Sequence, residues 1–207
     1  MTHYKRPGSR LRRPFILGLT GSIGMGKSTA ATMFEREGVP VFDADAEVHR
    51  LQGPRGALVA AIEARFPGTT GPRGVDRQEL SRRVLGNRHE LAALEAIVHP
   101  AVVRAQKKFL ARHRARDVVV LDIPLLFEKG GWHRVGAVAV VTAPMWIQRK
   151  RVLRRPGMTN AKFKAIRGLQ VPDRVKRARA DFLIETGRPK SETHRQIRRI
   201  ASCFHAQ

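Results

Sequence analysis

The stretch Phe15-Ile-Leu-Gly-Leu-Thr20-Gly21-Ser-Ile-Gly-Met-Gly26-Lys27-Ser28 decides the fold. Pro14 to Thr20 is a short apolar run bounded by Pro and Gly, the pattern of a buried strand. Gly21 to Gly26 is a glycine-rich turn, and Lys27 to Glu37 follows with good helix formers. Ala30, Ala31, Met33 and Phe34 recur there at helical spacing. The turn matches G-x-x-x-x-G-K-[ST], and its chemistry needs those residue types in that order. Gly21 and Gly26 are read as positions whose backbone angles are closed to other residues, so that successive N–H groups converge on phosphate. Lys27 brings a mobile ammonium to the β- and γ-phosphates, the Ser28 hydroxyl can ligate Mg²⁺, and the helix N-terminus adds its dipole. Gly21, Ser22, Ile23, Gly24, Met25, Gly26, Lys27, Ser28 and Thr29 are therefore the expected nucleotide-binding set, with ATP and Mg²⁺ as cofactors and Ser28 as metal ligand.

Beyond the loop, Gly38 is a helix stop and Val39 to Phe42 a second short strand. Strand, glycine loop, helix, strand is the opening of a βαβ unit and implies a parallel sheet. Ala46 to Arg116 reads as mostly helical, broken by the Gly/Pro/Thr-rich stretch Pro67 to Gly74. Val118 to Asp122 and Ala137 to Thr142 are further strands. Pro144 to Gln170 reads as two helices parted at Arg155-Pro-Gly157. Phe182 to Ile184 is a late strand, and Glu192 to Phe204 a final helix. The pattern is α/β with helical insertions.

Two carboxylates, Asp43 and Asp45, follow the second strand directly. Ligands of a parallel sheet gather at the carboxyl ends of its strands, where such a group can accept a proton from an attacking hydroxyl. A helix N-cap is an equally good use for either. Val118-Val-Val-Leu-Asp122 resembles the strand that places a carboxylate near the metal in nucleotide-binding proteins, although a buried strand ending in Asp is common. His99-Pro100 sits inside a helical stretch that the proline should break or kink. Arg149, Arg151, Arg154 and Arg155 share one predicted helix and could clamp transferring phosphates.

Taken together these residues resemble the dephospho-coenzyme A kinase family. The resemblance is carried by Thr20 to Thr29, Phe42-Asp-Ala-Asp45, Ala96-Ile-Val-His-Pro100, Leu121-Asp-Ile-Pro-Leu-Leu-Phe-Glu128, Gln170 and Lys176-Arg-Ala-Arg-Ala-Asp181, and it extends from about Phe15 to the C-terminus. It implies a three-layer P-loop kinase core with a parallel β-sheet, a helical substrate-binding insertion and a small helical lid. By it, residues 1–14 are a basic tail and 15–207 a single domain: core 15–45 and 117–207, CoA-binding region about 46–116, lid about 149–170. The implied activity is ATP-dependent phosphorylation of the 3′-hydroxyl of dephospho-CoA, the last step of CoA biosynthesis. Asp45 then matches the catalytic aspartate, with Lys27, Arg151 and Arg155 acting on the phosphates. Asp43, His99, Pro100, Pro124, Leu125, Leu126 and Glu128 match the acceptor side. The lid departs from the family at Arg155-Pro-Gly157, where an acidic residue commonly follows the arginine.

Composition bounds the rest. Of 207 residues 40 are Lys or Arg and 17 Asp or Glu, a net charge of +23, which points to anionic ligands without naming them. Twelve of the basic residues lie between Arg149 and Arg179 against one acidic residue, Asp173, and six between Arg104 and Arg116. A nucleic-acid-binding ATPase is the rival the charge favours, but aromatics are only 6% and no groove-reading module is present, so nucleic acid is not expected as a partner. A different small-molecule P-loop kinase is the second rival. No apolar run approaches membrane-spanning length and no signal peptide is visible, so a cytoplasmic protein without membrane partners is expected. One cysteine, Cys203, excludes an internal disulfide. Dephospho-CoA and ATP are the expected partners; the oligomeric state is left open.

Overall fold

The computed structural model describes residues 13–204, so the expected basic tail lies, up to residue 12, outside the described residues. The chain divides into two compact units: 13–42 with 113–204, and Asp43–Arg112. The expected insertion, 46–116, is thus shifted by a few residues at each end.

In chain order the described elements are β1 (Phe15–Thr20), α1 (Lys27–Arg36), β2 (Val41–Asp43), α2 (Ala44–Gln52), α3 (Val59–Arg65), β3 (Thr70–Gly71), β4 (Gly74–Val75), α4 (Arg77–Val84) and α5 (Arg88–Arg112). There follow β5 (Val118–Asp122), a 3₁₀ turn at Gly131–Arg134, β6 (Ala137–Thr142), α6 (Met145–Leu153), α7 (Asn160–Gly168), α8 (Asp173–Ala178), β7 (Phe182–Glu185) and α9 (Lys190–Ser202). The main sheet has the order β2-β5-β1-β6-β7, with β1 parallel to β5 and β6, and β6 parallel to β7.

The two-residue period of the strands sorts their side chains between two cores. Leu17, Leu19, Val118, Val120, Ala137, Ala139 and Val141 face the apolar sides of α1 and α9, where Ala30, Met33, Phe34, Ile197, Ile200 and Phe204 meet them. Val138 and Val140 point the other way, onto Leu126, Phe127, Val171 and Ala180. The result is a three-layer α/β fold. Gly18 is the alternate residue of β1 on that second face, and a Cβ there would stand 2.9 Å from Leu126 Cδ2. The strand is covered this closely only because one of its residues has no side chain.

Helix α1 ends as its sequence requires. Gly38, at φ +76°, is the left-handed residue; its N–H donates to Glu35 O (2.9 Å) and that of Val39 to Phe34 O (3.0 Å), the paired bonds of a Schellman stop. Val39 is consumed by this stop, so the strand begins at Val41 and not at Val39. In the second unit the break at Pro67 to Gly74 proves to hold a two-stranded hairpin, β3 antiparallel to β4. Gly74 sits there at φ +88° with Gln52 O 2.3 Å from where a Cβ would be. Leu51, Leu58, Ile62, Phe66, Val75, Leu80, Val84 and Ala101 form this unit's own core.

One expectation is corrected, and one helix appears that the sequence reading did not name. Pro100 does not break its helix: α5 runs through it from Arg88 to Arg112. Proline removes one donor, but Ile97, Val98, Ala101 and Val102 around it pack in the core of their own unit and hold the helix together. The helix α8 had no periodic signal, being only six residues long and strongly basic. Ile197 lies at the centre of the first core and is fully buried. Ile197→Ala should lower the unfolding free energy by about 2–5 kcal/mol, read from urea denaturation.

Candidate active site

Between β1 and α1 the chain turns through Gly21 to Gly26 and delivers Lys27 as the first helical residue. Gly26 is the N-cap, in left-handed conformation at φ 91°, and no side chain caps the helix or places a carboxylate in its first turn. Its N–H groups and positive dipole end are thereby left to an outside anion. Gly24 is also left-handed at φ +76°; a Cβ there would stand 2.5 Å from Val152 Cγ2 and 3.1 Å from Gln148 O. Gly21 corrects the sequence reading. It is not left-handed; it is glycine because a Cβ would stand 2.8 Å from Val141 O of the neighbouring strand.

The loop is held from several sides. Met25 N–H donates to Ser22 O (3.1 Å), and the Thr186 hydroxyl to Met25 O (2.6 Å). Gln148 Nε2 donates to Ile23 O (2.8 Å), while Ile23 N–H donates to Gln170 Oε1 (3.0 Å). Ser28 and Thr29 are exposed on the first turn of α1.

Lys27 Nζ lies 2.5 Å from Asp122 Oδ1, and that carboxylate is 1% exposed. The strand β5 ends at this aspartate, so the apolar run that buries the strand also carries its charge to the ammonium. A hydroxyl at Ser28 and a carboxylate at Asp122 are both oxygen donors suited to Mg²⁺. Among the described residues no group of three or more His, Cys, Asp or Glu could hold a metal. A cation here would therefore complete its shell with phosphate and water, the usual habit of Mg²⁺.

Arg151 is anchored rather than loose. Its guanidinium donates to Thr186 Oγ1 (2.9 Å) and Thr186 O (2.6 Å), and Nη1 lies 3.3 Å from where a Cβ of Gly26 would be. Arg155 is exposed beyond the end of α6, and Gly157 at φ +70° makes the expected break before α7. Arg149 Nε donates to Asn160 Oδ1 (3.1 Å), joining the two helices. A cavity of about 490 Å³ opens beside Ser22 and Met25, with Gln148, Arg167, Gln170 and Arg174 in its wall.

The segment after β5 divides. The Thr20 hydroxyl donates to Pro124 O (3.2 Å), and Leu125 is exposed. Leu126 is fully buried among Phe127, Val138 and Val140, so its side chain serves the core and presents no surface to a ligand. Glu128 is tied inward: Oε1 accepts from Val171 N–H (2.9 Å) and lies 2.8 Å from the ammonium of Lys176, which is fully buried. Burial works to raise the Glu128 carboxyl, but Lys176 and the backbone N–H groups outweigh it and hold the group below the ordinary carboxylate range.

In the second unit, Asp43 Oδ1 accepts from Ala46 N–H (2.9 Å) and is the N-cap of α2. Asp45, in the first turn of that helix, is exposed, as are His99 and Pro100 on α5. Sequence reasoning passed over Thr186 and Gln148, and it named Lys176 only within the motif Lys176 to Asp181, with no role of its own. Thr186 and Gln148 carry no local signal, and Lys176 stood in a basic run that looks solvated.

A family model described as CoaE, dephospho-CoA kinase, matches residues 15–190. The chain is 60% identical over 187 residues to the dephospho-CoA kinase of Novosphingobium aromaticivorans, covering 90% of this chain and 93% of that one. It is 48% identical over 192 residues to the dephospho-CoA kinase of Zymomonas mobilis, covering 93% and 98%. The crystal structure of TT1252 from Thermus thermophilus superposes with a TM-score of 0.82 at 35% identity, over 94% of this chain and all of that one.

The Glu128–Lys176 pair makes a pH-dependent prediction. A carboxyl lowered by folding contributes stability above its unfolded range, and the contribution is lost as pH falls through the lowered value. Lys176→Met should cost about 3–5 kcal/mol at neutral pH, because Glu128 is left buried without its cation. The deficit relative to wild type should shrink as pH falls through the carboxyl titration, read from urea midpoints. A deficit that stays constant on the acid side assigns the loss to packing instead.

Proposed function

The chain belongs to the dephospho-CoA kinase family, and on that premise we propose how its residues carry out the reaction. It is an ATP-dependent kinase that phosphorylates the 3′-hydroxyl of dephospho-CoA, giving coenzyme A and ADP in CoA biosynthesis. The single observation that carries the assignment of residues is the uncapped, left-handed glycine turn that ends in Lys27.

Gly21 to Thr29 cradle the ATP phosphates, with the N–H groups of the turn and of the first turn of α1 as donors. Lys27 leaves or shares Asp122 to follow the β- and γ-phosphates. Ser28, assisted by the Asp122 carboxylate, would hold Mg²⁺, whose chemistry is to neutralise phosphate charge and orient the γ-phosphoryl. Arg151, fixed by Thr186 beside Gly26, adds a second positive charge at a set position. Arg155, exposed at the lid break, reaches the phosphates on closure, which also keeps water from intercepting the phosphoryl group.

Asp45 orients the 3′-hydroxyl and accepts its proton as the oxygen attacks the γ-phosphorus and the bond to the ADP oxygen breaks. Asp43 has its carboxylate engaged in capping α2, and its part is to set where Asp45 stands. His99 and Pro100 of the second unit, and Pro124 and Leu125 of the first, are the residues assigned to the acceptor by the family motifs they match. Glu128 acts there through Lys176 and Val171, not by contact with substrate. No helix among the described residues is long and apolar enough to cross a membrane; a cytoplasmic location is part of the proposal.

ADP release should be seen with dephospho-CoA and not with AMP, other nucleosides or single-stranded DNA, and the product should carry a 3′-phosphate. Stimulation by DNA alone would overturn the assignment. Lys27→Ala should abolish turnover. Asp45→Ala should remove phosphoryl transfer while ATP affinity, measured by calorimetry, stays close to wild type; unchanged turnover would remove Asp45 from the mechanism.

A further inference from the structure

Two glutamines that bracket the lid grip a single residue of the phosphate loop. Gln148 lies on α6, where the lid begins, and is 2% exposed. Gln170 follows the end of α7, where the lid finishes. Gln148 Nε2 donates to Ile23 O at 2.8 Å, and Gln170 Oε1 accepts from Ile23 N–H at 3.0 Å. The N–H and C=O of one residue belong to consecutive peptide planes, so this clamp sets both planes around Ile23 and with them its φ and ψ. Gly24 comes next, in the left-handed conformation from which the turn continues to Gly26 and Lys27.

The polarity of the clamp is dictated by the backbone. A carbonyl can only accept and an N–H can only donate, so Gln148 must present its amide nitrogen and Gln170 its amide oxygen. Both glutamines are themselves secured. Gln148 N–H donates to Pro144 O (3.0 Å), and Val171, next to Gln170, donates to Glu128, which is paired with the buried Lys176. Both ends of the lid segment are thus fastened to the loop while Arg154 to Gly157, in its middle, are exposed.

We propose that Gln148 and Gln170 are positioning residues that hold the Ile23 peptides in one orientation and so preset the phosphate loop for ATP at the two ends of the lid. The proposal rests on the reading of Gly21 to Thr29 as the ATP-phosphate loop. Neither glutamine is needed for the chemistry itself. Their effect is on how much of the ATP binding energy is lost to ordering the loop.

The test uses four variants of the full chain: Gln148→Met, Gln148→Glu, Gln170→Met and Gln170→Glu. Methionine keeps the length of the side chain and removes its hydrogen bond. Glutamate keeps an acceptor and removes the donor, so it should rescue position 170 and fail at position 148. Both methionine variants should raise KM for ATP by about tenfold with KM for dephospho-CoA nearly unchanged, the size expected when one buried backbone group loses its partner. Gln170→Glu should recover most of that loss relative to Gln170→Met, and Gln148→Glu should recover none relative to Gln148→Met. Because Gln148 is buried and Gln170 only partly so, each glutamate is read against the methionine at its own position, which carries the same burial without the charge or the hydrogen bond. If one of the Gln148 variants fails to fold, by circular dichroism, the other with the two Gln170 variants still decides. Equal behaviour of the two glutamates, or equal shifts in KM for both substrates, overturns the clamp. If the wild-type protein binds no ADP in calorimetry, the phosphate-loop reading itself falls, which is a separate failure from that of the clamp.

Discussion

A helix that is to bind an anion at its N-terminus must begin without a cap, and the structure is organised around that constraint. Asp43, Asp76 and Thr159 cap α2, α4 and α7 with their side chains, while α3, α6, α8 and α9 begin without a side-chain cap behind Leu58 or a proline. Helix α1 has Gly26 in that place and no side-chain acceptor. Apart from the bond of Met25 N–H to Ser22 O, the turn leading to it is held by its neighbours. Thr186 at the end of β7, Gln148 on α6 and Gln170 after α7 supply the bonds, and Val141 and Val152 supply the walls. The sheet order, with β1 between β5 and β6, is what brings so many elements to one turn.

Charge at the site follows from the same arrangement. Lys27 and Arg151 are cations placed at the loop, and each has a defined partner, Asp122 and Thr186. A fixed cation contributes more to a developing negative charge than a mobile one, because little reorganisation is left to do. The net charge of +23 is a different matter. Much of it lies on exposed faces, such as Arg104, Arg112 and Arg116, where salt screens it within about 10 Å, and no single site accounts for it. Its physical consequence is attraction of polyanionic substrates at a distance, not their recognition.

The parts of the fold legible in the sequence are those whose cause is local. The strand before the glycine turn, the amphipathic α1, the Gly38 stop and the helix break at Gly157 each follow from a few adjacent residues. Glycine at position 21 was legible as a requirement but not in its reason, since the clash that forbids a Cβ comes from Val141 of another strand. Thr186 and Gln148 were not legible at all, and Lys176 was legible only as part of a motif, not as a buried charge. Thr186 reaches a loop residue 161 positions earlier, and Gln148 one 125 positions earlier. Such contacts are fixed by sheet order and helix placement, which no local pattern encodes. Pro100 fails in the opposite sense, because a strong local rule is overridden by packing on either side.

Lys176 shows why charge counts misread this chain. It stands in the run Lys176-Arg-Ala-Arg, where every neighbour of like type is exposed, yet its own side chain is wholly buried against Glu128. A well-packed apolar pair in that position would often stabilise the fold as much or more. What an apolar pair could not do is let one carboxylate oxygen face both the ammonium and the backbone N–H of Val171. That contact holds the chain where α7 ends and Gln170 turns toward the loop, so the ion pair locates a backbone segment as well as filling the core. A cation hidden from the surface thus helps to set the geometry at the end of the lid.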